Sequence, residues 1–188
     1  HQNSRIISDP LHLFDYCLES DGACAVLVTS SERARSLRHP PAYILSGAWG
    51  MGPAMSGIIG EKRYPLYAEP AVANVARDLF GRAGVSPQDI DVAQIYDHFT
   101  PLVLMTLENL GFCGRGEGGA FVEGGRIEWP NGELPLNTAG GNLSEGYIHG
   151  MNHLCEAVRQ IRGTSTAQVE NAELVLVESA LSPIHQNN

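Results

Sequence analysis

The chain has 188 residues, 43% of them hydrophobic and 18% charged. That suits one domain, or half of a larger one, and excludes wholesale disorder. Twelve Lys and Arg stand against 21 Asp and Glu, for a formal charge of −9, so the basic patch of a nucleic-acid binder is not to be seen. No apolar run approaches the ~20 residues of a membrane span, and no signal peptide opens the chain. The four cysteines, Cys17, Cys24, Cys113 and Cys155, show no CxxC or zinc-type spacing and read as reduced thiols of a cytoplasmic protein. The chain opens on His1 rather than Met, which reads as a piece of something longer.

In chain order, Ala23 to Thr29 is a short apolar, β-branched run and reads as a buried strand. Ser30 to Leu37 reads as a short helix, and Tyr43 to Trp49 as a second strand. Pro70 to Ala83 carries Val72, Val75, Ala76, Leu79, Phe80 and Ala83 at helical spacing, with Pro70 suited to the first position and Gly84 to the stop. Ser86-Pro87-Gln88-Asp89 is a variant capping box. Val92 to Tyr96 reads as a strand. Thr100-Pro101 caps a helix whose body, Leu102 to Leu110, is apolar nearly all round, so it is expected to be buried on several faces. The glycine-rich stretch Gly114 to Gly125 reads as a loop or hairpin. Tyr147 to Arg162 is the clearest helix, with a stripe of Ile148, Met151, Leu154, Cys155, Val158 and Ile161 and a stop at Gly163. Glu173 to Ser179 is the last strand. Strands alternating with helices argue for an α/β layered fold.

Chemistry has two natural places. Tyr96-Asp97-His98-Phe99-Thr100 lies where a strand ends and a helix begins, the corner at which ligands meet α/β sheets. The bland reading is that Tyr96 and His98 fill space and Asp97 bonds to backbone donors. The second place is the glycine-rich run Asn137 to Gly150, which holds Gly140, Gly141, Gly146, Tyr147 and His149 and leads into a helix. Its glycines allow close approach of a ligand, and the first helical N–H groups favour developing negative charge. It has neither the Walker lysine nor dinucleotide spacing. His149 and His153 are four residues apart, as metal ligands on a helix are, but no Glu sits between them as HExxH requires. No bound metal is expected.

These residues carry a resemblance. Ile7 to Val28, Tyr96-Asp97-His98-Phe99, Gly111 to Phe121 and Asn137 to His153 resemble the C-terminal half of the thiolase superfamily. The branch they look like is that of the lipid-transfer-protein (sterol-carrier-protein-x-like) thiolases and the thiolase-like aldolases of steroid side-chain breakdown. The fold this implies is the C-terminal α/β half of a thiolase, a mixed central sheet with helices on both faces. Residues 1–22 would lead in from a preceding half, 23–180 would form the domain and 181–188 an irregular tail. Ordinary thiolases carry Asn-Glu-Ala-Phe at Tyr96 to Phe99 and Gly-His-Pro-Leu-Gly at Gly146 to Gly150. Tyrosines thus stand at both positions where thiolases use Asn and His to polarise the thioester oxygen.

The resemblance implies a lyase that splits a β-hydroxyacyl-CoA, derived from steroid side chains, by retro-aldol chemistry. Tyr96, Tyr147, His98, His149 and Asp97 would be its catalytic residues, and Gly140, Gly141, Gly146 and Gly150 would bind substrate. A phenol has a free pKa of ~10 and is a poor base at neutral pH. A cation or donor at His98 or His149 is expected to lower it, and Asp97 either orients His98 or caps the following helix. Coenzyme A enters as part of the substrate, with no further cofactor. A homodimer and a small partner of the DUF35 type (zinc ribbon plus OB-fold) are implied with it. The alternatives are an acyltransferase using a cysteine of a preceding half, and a non-catalytic acyl-CoA- or partner-binding homologue.

Overall fold

A computed structural model describes residues 1–50 and 71–179 of the chain. Its elements are β1 (Ile6–Ser8), β2 (Leu11–His12), α1 (Ser31–Ala34), α2 (Ala71–Ala83), β3 (Val92–Gln94), α3 (Thr100–Leu110), α4 (Gly118–Val122), α5 (Gly141–Ser144), α6 (Met151–Arg162) and β4 (Val175–Val177). The architecture is α/β, as expected. Pro70 and the tail from Ala180 onward lie outside the described residues.

The sheet bonds are mixed. β1 and β2 form an antiparallel pair. β3 and β4 run parallel, with Val92, Ala93 and Gln94 opposite Val175, Leu176 and Val177. On its other edge, Ala93 N–H donates to the Pro135 carbonyl (3.1 Å), and its own carbonyl accepts from Asn137 N–H (3.0 Å). β3 is therefore central, and Val92 to Tyr96 is wholly buried. Period-two alternation divides it. Ala93 and Ile95 pack with Val72, Ala76 and Phe80 of α2 and with Leu107 and Leu110 of α3. Gln94 and Tyr96 face α6 on the other side. Gln94 Nε2 donates to Thr138 Oγ1 (3.1 Å), and Thr138 Oγ1 donates to Glu156 Oε1 of α6 (2.6 Å).

The apolar stripe of α2 is the face that is buried, and no residue of α3 is exposed. The Ser86–Asp89 box forms, with Ser86 N–H donating to Asp89 Oδ2 (2.7 Å). The start of α3 differs from the expectation. Phe99 occupies the cap position, Pro101 sits in the first turn, and no side chain caps it. Thr100 instead donates its hydroxyl to Asp15 Oδ1 (2.7 Å).

Four other expectations change. Ala23 to Thr29 and Tyr43 to Trp49 form no ladder with any described residue, and Leu27 (87%) and Ile44 (77%) stand in solvent. An apolar run becomes a strand only where a neighbour takes up its N–H and C=O groups. Gly114 to Gly125 holds α4 and a 3-10 turn rather than a hairpin; Glu108 of α3 accepts the Gly118 N–H (3.0 Å) and ties it down. The last long helix begins at Met151, four residues later than the periodicity suggests. Its most buried residues are Asn152, His153, Glu156, Ala157 and Gln160, not the apolar stripe, because the sheet face beneath it offers Gln94 and Thr138 as hydrogen-bond partners.

Candidate active site

Three segments converge at the C-terminal end of β3. The first is Tyr96-Asp97-His98, where the chain leaves the sheet. The second is the run from Asn137 to Gly150. The third is the N-terminal stretch before Asp21, where Tyr16 bridges to Phe99 and Glu19 to Tyr147. Cys17 N–H donates to the His98 carbonyl (3.0 Å), and Tyr147 N–H donates to Ser20 Oγ (3.4 Å).

Tyr96 and Tyr147 meet directly. Tyr96 Oη donates to Tyr147 Oη at 2.8 Å, across 51 positions of sequence. Tyr96 is 2% exposed, whereas Tyr147 is half-buried and His149 is exposed. The Tyr96 ring is the hub of an aromatic cluster. His98 lies 4.8 Å away between centroids, His149 5.9 Å, Tyr147 6.1 Å and His153 6.3 Å. Burial, then the hydrogen bond to Tyr147, then the nearby Tyr147, Cys17 and Glu178 hold the Tyr96 phenol far above the ordinary tyrosine range. This reverses the expectation that a neighbouring cation lowers it. Tyr96 is held protonated and donates its hydroxyl to Tyr147.

Asp97 bonds to backbone donors, as the bland reading has it, rather than orienting His98 or capping the helix that follows it. Its buried carboxylate accepts the N–H groups of Asn142 (2.7 Å) and Leu143 (3.4 Å) at the start of α5, and its Oδ1 lies 3.4 Å from Nε2 of the buried His153. It caps α5, not α3. The first N–H groups of α5 are thus engaged by the protein's own carboxylate. Gly141 makes this possible. It has φ +62, and a Cβ there would collide with the Asp97 carboxylate. Gly150, at φ +84, would place a Cβ 2.8 Å from Ser179 Oγ and 3.4 Å from the Tyr96 ring. Gly140 closes against Ser144 and Glu145, while Gly146 is open apart from Ile148 at 4.0 Å.

His149 and His153 do not share a helical face. His149 precedes α6 in the left-handed region, φ +54. Among the described residues no group of three His, Cys, Asp or Glu could hold a metal ion.

Three contributors escaped the sequence reading. Cys17 lies by the site, its thiol pushed up by burial and by the Asp97 carboxylate. Asn137 and Glu178 grip the backbone under Tyr96. Asn137 Oδ1 accepts the Ile95 N–H (2.8 Å), and its Nδ2 donates to the Ile95 carbonyl (2.9 Å). Glu178 Oε2 accepts the Tyr96 N–H (3.1 Å), and burial pushes its carboxyl up to about 7 against that hydrogen bond. Only the position of Asn137 beside the glycines, inside a stretch already singled out, hinted at a role.

Known proteins resemble this chain in sequence and fold. The family model described as thiolase C-terminal domain-like matches residues 60–186. The chain belongs to that family. It is 50% identical over 177 residues to a steroid side-chain-cleaving aldolase of Thermomonospora curvata, covering 94% of this chain and 45% of that protein. It is 49% identical over 177 residues to a 17-hydroxy-3-oxo-4-pregnene-20-carboxyl-CoA lyase of Mycobacterium tuberculosis, covering 94% and 46%. The solved structure of an Ltp2-ChsH2(DUF35) aldolase superposes with a TM-score of 0.92 at 48% identity, over 98% of this chain and 48% of the other. The chain spans about half the length of these relatives.

Proposed function

We propose that this chain supplies the C-terminal half of a thiolase-like aldolase, and that its tyrosine pair cleaves the Cα–Cβ bond of a β-hydroxyacyl-CoA derived from a steroid side chain. The observation that carries this is the 2.8 Å contact between the two phenol oxygens. It stands where thiolases, by the resemblance described above, carry Asn and His. The relatives named as aldolase and lyase support the same reading.

The reaction needs a base at the β-hydroxyl and an acid at the α-carbon. Tyr147 is the more accessible of the pair and accepts a hydrogen bond from Tyr96. Tyr147, as phenolate, takes the β-hydroxyl proton. The O–H electrons become the new C=O bond of the ketone, the Cα–Cβ bond breaks, and its electron pair passes to the acyl-CoA enolate. Tyr96, held protonated by its surroundings, delivers its proton to the α-carbon. Tyr147 then returns a proton to Tyr96 along their hydrogen bond, and the pair is restored. This cycle uses no redox or metal step, so coenzyme A takes part only as a piece of the substrate. His98 and His149 border the pair and are placed to steady charge on it. Gly140, Gly141, Gly146 and Gly150 shape the turns around it.

The working form in this reading is a homodimer with a DUF35-type partner, in the cytoplasm and free of nucleic acid. The similar Ltp2-ChsH2(DUF35) aldolase supports the choice of partner. No helix among the described residues is long and apolar enough to cross a membrane. The test is Tyr96→Phe and Tyr147→Phe in the complete protein with its partner. Each keeps the ring and should cut cleavage by ~10²- to 10⁴-fold while acyl-CoA binding survives. Near-normal turnover in both, with loss of activity on replacing a cysteine of the preceding half, would establish the acyltransferase alternative instead.

A further inference from the structure

β3 ends as a ladder at Gln94, yet the two peptides beyond it are not left loose. Asn137 closes a two-bond ring on Ile95 from one edge, its amide copying the N–H and C=O of a neighbouring strand. From the other edge, Glu178 offers a carboxylate oxygen to the Tyr96 N–H where a strand would offer a carbonyl. Glu178 is itself fixed, because its own N–H donates to the Gln94 carbonyl (2.8 Å). Two side chains therefore continue the sheet for two residues past its last backbone rung. Those two residues carry the Tyr96 ring to the Tyr147 hydroxyl.

We propose that Glu178 is a positioning residue for Tyr96, holding the backbone of the proton donor through a carboxylate hydrogen bond, with Asn137 as the matching clamp on the opposite edge. This rests on the tyrosine-pair reading above for its catalytic meaning. The choice of a carboxyl is costly, since its Oε1 is buried and has no hydrogen-bond partner among the described residues. A backbone carbonyl or an amide accepts an N–H without that cost, whereas an ionised carboxylate makes the stronger, charge-assisted bond. α2 and the segment 46–49 face Glu178 with Val72, Val75, Leu79 and Trp49, none of them titratable. Through space, its charge adds a small contribution to keeping the Tyr96 phenol protonated. Burial places the carboxyl's ionisation at about 7, so the clamp tightens as pH rises through neutrality.

The experiment uses Glu178→Gln and Glu178→Ala in the complete protein, with two readouts. The first is amide hydrogen exchange at Tyr96. Glu178→Ala should speed it at least ~10-fold, and Glu178→Gln, which still accepts the N–H, should leave it slow. The second is the pH profile of kcat between pH 6 and 8. The wild-type rise near pH 7 should vanish in Glu178→Gln, with acyl-CoA binding unchanged. Wild-type exchange in Glu178→Ala, or a wild-type inflection in Glu178→Gln, overturns the proposal. Tyr96→Phe is run alongside. If it keeps full turnover, the tyrosine-pair reading fails, and hydrogen exchange alone decides on Glu178.

Discussion

Replacing Gly141 with alanine tests the packing of Asp97 under the glycine-rich turn. The residue sits at φ +62, where an L side chain costs about 1 kcal/mol. Its new Cβ would collide with the Asp97 carboxylate, and the carboxylate has to retreat. Retreat breaks the bonds it accepts from Asn142 N–H at 2.7 Å and Leu143 N–H at 3.4 Å. A charge-assisted hydrogen bond is worth about 1.5–3 kcal/mol, and the longer bond falls at or below the low end. Loss of unfolded-chain entropy on going from Gly to Ala returns somewhat under 1 kcal/mol. The expected destabilisation is about 3 kcal/mol, or a fall in Tm of roughly 10 °C.

The assay is thermal and urea unfolding of the complete protein, with Gly146→Ala as control. A Cβ at Gly146 meets only Ile148, at 4.0 Å, so that variant should stay within about 0.5 kcal/mol of wild type. In an Asp97→Ala background the Gly141 change should keep only its backbone cost, nearly offset by the entropy return, and stay within about 0.5 kcal/mol. Equal stability of Gly141→Ala and Gly146→Ala would refute the reasoning, and so would a Gly141 cost that is the same with and without Asp97.

Glu178 makes stability depend on pH in an unusual direction. Its folded ionisation, at about 7, lies above the 4.5 of an ordinary glutamate, so between those values the folded state binds more protons than the unfolded state. Stability is therefore lost as pH rises from 4.5 to 7, by about 3 kcal/mol when complete. Urea unfolding at pH 5 and pH 8 should show Glu178→Gln gaining on wild type by that order at the higher pH, and no difference between the two pH values would refute it. Glu156 Oε1 accepts from Thr138 (2.6 Å), Ser165 (2.6 Å) and Gln160 (3.0 Å) in a buried network. Glu156→Ala strands those donors and should cost about 3 kcal/mol by the same unfolding assay, whereas a cost below about 1 kcal/mol would show that the network relaxes onto other partners.

Much of the fold is legible in local sequence, because helix periodicity, caps and glycine stops act over only a few residues. Val72, Ala76 and Phe80 mark the buried face of α2, the Ser86–Asp89 box closes as spelled, and Val92 to Gln94 form a buried strand within the buried run to Tyr96. The same reasoning marks the apolar stripe of α6, yet the opposite choice of residues is the buried one. Its apolar stripe is the more conspicuous, but the sheet offers Gln94 and Thr138, and only tertiary contact makes Glu156 and Gln160 the buried choice. The runs Ala23 to Thr29 and Tyr43 to Trp49 have strand composition without a described neighbour to pair with, and pairing is never a local property.

The site divides in the same way. Sequence alone determined that tyrosines stand at the two positions the resemblance singles out, Tyr96 and Tyr147, and placed glycines around Tyr147. Tertiary structure decided that the phenols touch, that Asp97 serves α5 and His153 rather than the helix that follows it, and that Tyr96 is held protonated. It also brought Glu178, 82 positions away, to the Tyr96 N–H. Burial and through-space charge set these outcomes, and both depend on which distant segments fold against one another.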